Sequence, residues 1–218
     1  MELTKSYETA IPEDIRKRYD IRETRNAAVV IAATNPEPFR EVLQVLREFK
    51  LESDDIVEPG GSKSRVPTRL DTAFRMLGWR EGRHDTRIVS LLRIMPYVPK
   101  GEHEVKVIEH EVVNPGYKVD NVKPGVAVDI EWHAKDGNLD RDVSAYRALY
   151  ESGIIDGGII ITRSYEEIRA LSEKLGREGG FKTTTTTTLE KLVPRLTRGD
   201  GGGCPILAVA ITGRCYAP

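Results

Sequence analysis

The side chains best suited to chemistry lie between positions 119 and 133, where acidic and apolar residues alternate. A Pro-Gly turn divides this stretch into two predicted strands, with Asp120 on the first and Asp129 and Glu131 on the second. Successive side chains of a strand point to opposite faces, so Asp129, Glu131 and His133 are expected to share one face. The turn would place Asp120 beside them, which gathers three carboxylates in one place.

Carboxylates gathered in this way require a compensating positive charge. They repel one another and are costly to remove from water, so a fold that brings them together usually supplies a cation. Oxygen ligands favour a hard divalent ion, here Mg²⁺, for which Mn²⁺ can substitute. Such ions activate a water molecule, orient a phosphate group and stabilise the leaving oxygen in phosphodiester hydrolysis. Because the same alternation also occurs on a half-solvated antiparallel strand, the neighbouring segments must decide between the two interpretations.

The elements that must position these residues follow from hydrophobic spacing and turn signals. Helices are predicted at 35–50, 68–77, 138–150 and 164–175, and strands at 87–92, 157–162 and 205–212. The apolar run 27–33 has no periodicity that assigns it, and we favour a helix there. The alternation of strands and helices after position 119 predicts an α/β fold. We expect one domain over 1–218, with a helical N-terminal portion over 1–58.

The order of these segments resembles a known family. The stretches VDNVKPGVAVDIEWHAKD, LDRDVSAYRAL, IIDGGIIITR and GGGCPILAVAIT are similar to type II restriction endonucleases of the BglII, BstYI and BamHI kind, within the PD-(D/E)XK nuclease superfamily. The resemblance runs from about Pro59 to Thr212. It implies a central mixed β-sheet flanked by helices, and a Mg²⁺-dependent enzyme that cuts double-stranded DNA at a short site. If that site is palindromic, its two strands are related by a twofold axis, so a homodimer is expected.

The resemblance also implies roles for the acidic residues. Asp120 and Asp129 correspond to the two metal-binding carboxylates, and Glu131 takes the place where most of the superfamily has Lys. A Glu in that place looks like the BamHI arrangement and cannot donate a positive charge to the phosphate. We expect Glu131 to bind the metal or to deprotonate the attacking water. A second register stays open, with Glu131 second and His133 third, but it needs a gap two residues longer after Asp120.

Positive charge for binding a DNA backbone is concentrated just before the acidic stretch. The whole chain carries 33 basic and 34 acidic residues. From Gly61 to Lys100 there are nine basic residues against three acidic, and from Gly101 to Asp142 five against ten. A basic rim beside an acidic metal centre suits phosphate binding. The candidate DNA-contacting residues are Lys63, Ser64, Arg65, Arg69, Lys123, His133 and Arg198.

Composition excludes several other classes of protein. No apolar run approaches the roughly 20 residues that a membrane span needs, and polar residues follow Met1, so we expect a cytoplasmic protein without a membrane segment. Cys204 and Cys215 lack the spacing of a zinc site. Two alternatives remain: another PD-(D/E)XK nuclease, such as a repair or structure-specific enzyme, and a non-catalytic DNA-binding protein on this fold. The complete carboxylate set favours an enzyme.

Overall fold

The computed structural model describes residues 1–57, 65–182 and 184–217. Two candidate DNA-contacting residues, Lys63 and Ser64, lie outside these ranges. The chain divides into a larger unit, Met1–Gly82 with Lys118–Pro218, and a smaller unit, Arg83–Tyr117.

The secondary structure alternates between helices and strands through most of the chain. The helices are α1 (Tyr7–Ala10), α2 (Glu13–Arg16), α3 (Ala27–Thr34), α4 (Pro36–Glu48), α5 (Ser53–Val57), α6 (Arg65–Met76), α7 (Gly137–Glu151), α8 (Tyr165–Lys174) and α9 (Leu189–Arg198). The strands are β1 (Tyr19–Glu23), β2 (Arg80–Arg83), β3 (Thr86–Ile94), β4 (Lys106–Asn114), β5 (Lys118–Lys123), β6 (Gly125–Ile130), β7 (Ile155–Arg163) and β8 (Ile206–Ile211).

A mixed six-stranded sheet, in the order β1-β8-β7-β6-β5-β2, organises the larger unit. Strands β6, β7 and β8 run parallel to one another. Strand β1 pairs antiparallel with β8, and β5 pairs antiparallel with β6. The two strands predicted to carry the acidic residues are therefore β5 and β6. They form an antiparallel hairpin, and β6 also pairs with the parallel strand β7.

Helices cover both faces of this sheet. On one face, residues such as Val128 and Ile161 pack against α3, α4, α6 and α8. On the other face, residues such as Ala127 and Ile160 pack against α7 and α9. Burial on both faces explains the nearly continuous apolar runs of β7 and β8. The predicted fold class, a mixed sheet flanked by helices, is confirmed.

Sequence reasoning missed several elements of the larger unit, among them β1, β2 and α9. Strand β1 lies within the N-terminal portion that was predicted to be helical, and it forms one edge of the sheet. Its five residues, YDIRE, are too short and too polar to show a clear strand pattern. Helix α9 contains Pro194, a residue that removes a main-chain donor and normally argues against a helix interior.

The smaller unit is a two-stranded antiparallel ribbon formed by β3 and β4. One of its faces carries uncharged side chains such as Ile88 and Leu92, whereas the other holds an ion pair between Arg87 and Glu111 (2.7 Å). The predicted strand at 87–92 is confirmed as part of β3. Among the residues that the structure describes, no helix is long and apolar enough to cross a membrane.

Candidate active site

The β5–β6 hairpin opens at the position of the predicted acidic residues. Its regular pairing joins residues 121–123 to 126–128. Beyond this, the main-chain amide of Asp120 donates to Asp129 Oδ1 (2.9 Å), and that of Ile130 donates to Asp120 Oδ2 (3.2 Å). Carboxylate oxygens therefore accept hydrogen bonds that main-chain carbonyls accept in a regular ladder. The hairpin brings Asp120 and Asp129 together, as the sequence predicted.

The main chain of Glu131 is fixed by three hydrogen bonds just after the end of β6. Its amide donates to the carbonyl of Ile161 on the parallel strand β7 (2.8 Å). Its carbonyl accepts from the hydroxyl groups of Thr162 (2.8 Å) and Thr187 (2.9 Å), both of which are buried. These contacts hold Glu131 beside the two aspartates although regular strand structure has ended.

The side chain of Glu131 is buried and incompletely paired. Its Oε1 lies 3.4 Å from Nδ2 of Asn138 and 3.6 Å from Nη2 of Arg141, both at the start of α7. Its Oε2 is buried and has no hydrogen-bond partner. One oxygen of this glutamate is therefore available to a ligand.

A fourth carboxylate, that of Asp142 on α7, joins the group. Its Oδ1 accepts hydrogen bonds from Nε (3.1 Å) and Nη2 (3.0 Å) of Arg141, and its Oδ2 is buried without a partner. Sequence reasoning missed Asp142, although a signal was present. The residue shares a helix face with Leu139, Val143 and Tyr146, all buried, and an acidic residue in an apolar stripe is unusual.

Burial of these four carboxyl groups close together raises their pKa values. Burial raises the pKa of Asp129 well above its ordinary value, and the charges of Asp142 and Asp120 raise it further. Burial, the neighbouring charge of Asp142 and a hydrogen bond shared with the side chain of Asp142 raise the pKa of Glu131 to about 9. Burial also raises the pKa of Asp142 and that of Asp120. Arg141, which ion-pairs with Glu131 and Asp142, has a side chain that is 42% exposed, so solvent screens its charge.

The arrangement suits a hard cation. Asp129 Oδ2, Glu131 Oε2 and Asp142 Oδ2 are all buried carboxylate oxygens without a hydrogen-bond partner. Such oxygens are the donors that Mg²⁺ and similar ions prefer. In the described part of the chain, no three His, Cys, Asp or Glu side chains are already placed to hold one ion, so binding requires side-chain rotation. The chemistry of the donor set, rather than its present geometry, fits a divalent metal.

Comparison with known proteins identifies the family. A family model described as "Restriction endonuclease BglII/BglIII" matches residues 19–211, which include the whole six-stranded sheet and all four carboxylates. The chain belongs to this restriction endonuclease family. It is a site-specific endonuclease that binds and cleaves double-stranded DNA, and endonucleases of this kind generally depend on a divalent metal. A comparison with curated proteins finds no match.

His133 of the endonuclease lies apart from the acidic group. Its ring meets the ring of Phe181 edge-on, with centroids 5.3 Å apart, and Trp132 contacts the same ring at 5.9 Å. The alternation of faces that was expected to place His133 with Asp129 holds only in an extended strand, and β6 ends at Ile130. Burial, with the charges of Arg163 and Arg177, lowers the pKa of His133.

The other described DNA-contacting candidates of the endonuclease are held in ion pairs within the chain. The pairs are Arg65 with Asp54 (2.8 Å), Arg69 with Asp55 (2.7 Å), Lys123 with Glu41 (2.6 Å) and Arg198 with Asp200 (2.8 Å). A DNA phosphate would have to compete with these carboxylates. Of these four cations, Lys123 has the least exposed side chain and Arg198 the most exposed.

Proposed function

We propose that this endonuclease is a type II PD-(D/E)XK enzyme of the BstYI and BamHI kind, which hydrolyses DNA at a short palindromic site with a metal-activated water. The observation that carries this proposal is the convergence of Asp120, Asp129 and Glu131 at the open end of the β5–β6 hairpin. Buried carboxyl groups that lack hydrogen-bond donors from the fold destabilise it, so their retention points to a ligand.

The roles follow from position and partners. Asp120 and Asp129 would hold the divalent ion, Mg²⁺ with Mn²⁺ as a substitute, and the bound ion would lower the pKa of a coordinated water and polarise the phosphate. Glu131 would bind the ion or accept the proton of the attacking water, in either role through its Oε2. The contact of His133 with Phe181 favours Glu131 over His133 as the third residue.

Assembly follows from the number of strands to be cut. The described residues of the chain contain one such acidic group, and the two strands of a palindromic site require two groups related by a twofold axis. We therefore propose a homodimer on DNA, with Lys63, Ser64, Arg65, Arg69, Lys123, His133 and Arg198 as candidate DNA contacts. Binding to DNA in Ca²⁺ should weaken steeply with salt between roughly 50 and 200 mM, because each phosphate contact releases counterions.

Digestion of plasmid DNA of known sequence tests the proposal. Wild-type protein should give discrete fragments with Mg²⁺ or Mn²⁺ and none with EDTA, and Asp129→Asn should leave the plasmid intact. Asp140→Asn is the matched control, because Asp140 is exposed on α7 and paired with Arg195; it should cut like wild type. Equal digestion in EDTA would reject the metal mechanism, and a smear instead of discrete fragments would reject the defined site.

A further inference from the structure

Asp142 lies in the buried face of a helix that otherwise presents apolar side chains. It comes three residues after Leu139 and four before Tyr146, and its side chain is fully buried. Taking a carboxylate out of water costs several kcal/mol unless partners compensate. Packing alone would be better served by an aliphatic residue, so stability does not explain this position.

The partners of Asp142 do not compensate for its burial. Arg141 donates to Oδ1 only, and no other donor of the fold reaches Oδ2. The remaining hydrogen bond of Asp142 is one that it shares with the carboxyl group of Glu131. The same nitrogen of Arg141, Nη2, lies 3.0 Å from Asp142 and 3.6 Å from Glu131, so the two carboxylates are close neighbours that share one guanidinium. With Asp129 beside them, three buried carboxylates each keep one unpartnered oxygen.

Close packing holds α7 where Asp142 can reach the group. A Cβ added at Gly158 of β7 would lie 2.1 Å from Cδ2 of Tyr146, so glycine is required for this approach of helix to strand. The hydroxyl of Tyr146 donates to the carbonyl of Ile159 (2.7 Å), which fixes the helix one turn beyond Asp142. The packing of α7 against β7 therefore fixes the position of Asp142.

We propose that Asp142 is a further ligand of the divalent ion, and that its Oδ2 binds the ion together with Asp120, Asp129 and Glu131. The inference rests on the proposed metal-dependent cleavage and extends the acidic set from the β5–β6 hairpin to α7. It also explains why one arginine serves two carboxyl groups: the ion would take the place of the proton that Glu131 and Asp142 share without it.

Calorimetric titration of the full chain with Mn²⁺, without DNA, tests this role apart from cleavage. Asp142→Asn keeps the shape and an oxygen for Arg141, and it should weaken Mn²⁺ binding by at least about tenfold, the loss typical even of outer-shell partners. Asp140→Asn on the exposed side of α7 should bind Mn²⁺ as wild type does. In EDTA, Asp142→Asn should unfold at the wild-type temperature or higher, which shows that weaker binding does not come from misfolding.

A change of ligand chemistry separates a direct ligand from a positioning residue. Asp142→Cys should raise the affinity for Cd²⁺ relative to Mn²⁺, because thiolates prefer softer ions, whereas Asp140→Cys should not. Wild-type Mn²⁺ affinity in Asp142→Asn, or an unchanged Cd²⁺ preference in Asp142→Cys, would overturn the inference while leaving metal-dependent cutting by wild type intact. A wild-type protein that neither binds Mn²⁺ nor cuts DNA with it would reject the proposed function and this inference together.

Discussion

Glu23 and Glu131 are equally buried glutamates with opposite surroundings, being 0% and 4% exposed. Glu23, at the end of β1, accepts hydrogen bonds from the amides of Ser6 and Tyr7 (3.3 Å) at α1 and from that of Ala28 (2.8 Å) in α3. Both of its oxygens are therefore paired with fixed donors near helix N-termini, where the helix dipole also favours an anion. Glu131 shares one guanidinium and keeps one oxygen unpaired.

The comparison shows that burial alone does not mark a functional carboxylate. Glu23 is stabilised by donors that belong to the fold, so nothing from outside is needed to balance its charge. Glu131, Asp129 and Asp142 are buried next to one another, and each leaves an oxygen without a donor from the fold. Arg141 forms ion pairs with Glu131 and Asp142. The first arrangement ties a strand to two helices, and the second is suited to binding a cation.

The largest expected difference between the two glutamates is in cleavage. Glu131→Gln should lower the cutting rate by at least about a hundredfold, because it removes a proton acceptor and an anionic oxygen. Glu23→Gln should keep the wild-type rate per folded molecule, as measured by plasmid digestion at matched folded concentration. Asp120→Ala should lose cutting as Glu131→Gln does. Near wild-type cutting by Glu131→Gln would remove this residue from the mechanism.

In the absence of metal, substitution of Glu23 should affect the free energy of unfolding more than substitution of Glu131, the reverse of the order expected for cleavage. Glu23→Ala leaves buried amides without an acceptor and should lower the free energy of unfolding by about 2 to 3 kcal/mol. Glu131→Gln removes a poorly paired buried acid and should leave the free energy of unfolding unchanged or raise it. Urea denaturation in EDTA measures both. If Glu131→Gln lowered the free energy of unfolding as much as Glu23→Ala does, Glu131 could not be a poorly paired carboxyl group.

The stability of the metal-free protein should fall as pH rises. The pKa of Glu131 is raised from 4.5 to about 9, so the folded state binds the proton more tightly than the unfolded state. Its contribution is complete below about pH 4.5 and is lost as pH rises to about 9, with a slope of up to about 1.4 kcal/mol per pH unit for one group. Urea denaturation in EDTA from pH 5 to 9 should show a flatter dependence for Glu131→Gln than for Glu23→Gln. Parallel curves would contradict the raised pKa.

The smallest effect is expected at His133. Because its ring packs on Phe181 and not in the acidic group, His133→Ala should keep most of the wild-type cutting rate with Mg²⁺. A loss as deep as that of Glu131→Gln would instead support the second register, in which His133 is the third residue.

The sequence predicted the candidate site residues that lie close together in the chain. It did not predict Asp142, which only the tertiary packing brings to them. Alternation of side chains and the Pro-Gly turn predicted the β5–β6 hairpin and the proximity of Asp120 to Asp129. The roles proposed for Asp120, Asp129 and Glu131 came from the family resemblance. Asp142 comes from a helix beyond the hairpin, and only the packing of α7 on β7 decides that it meets them. The role of Thr187 in holding the carbonyl of Glu131 is equally invisible in a run of six threonines.

Diffraction from crystals of the endonuclease soaked in Mn²⁺ tests most directly whether the unpaired oxygens form a cation site. An anomalous peak is predicted at coordination distance from Asp120, Asp129, Glu131 and Asp142, with none at Glu23. A soaked crystal without a peak at these oxygens, in protein that cuts DNA with Mn²⁺, would contradict the metal centre inferred from their burial.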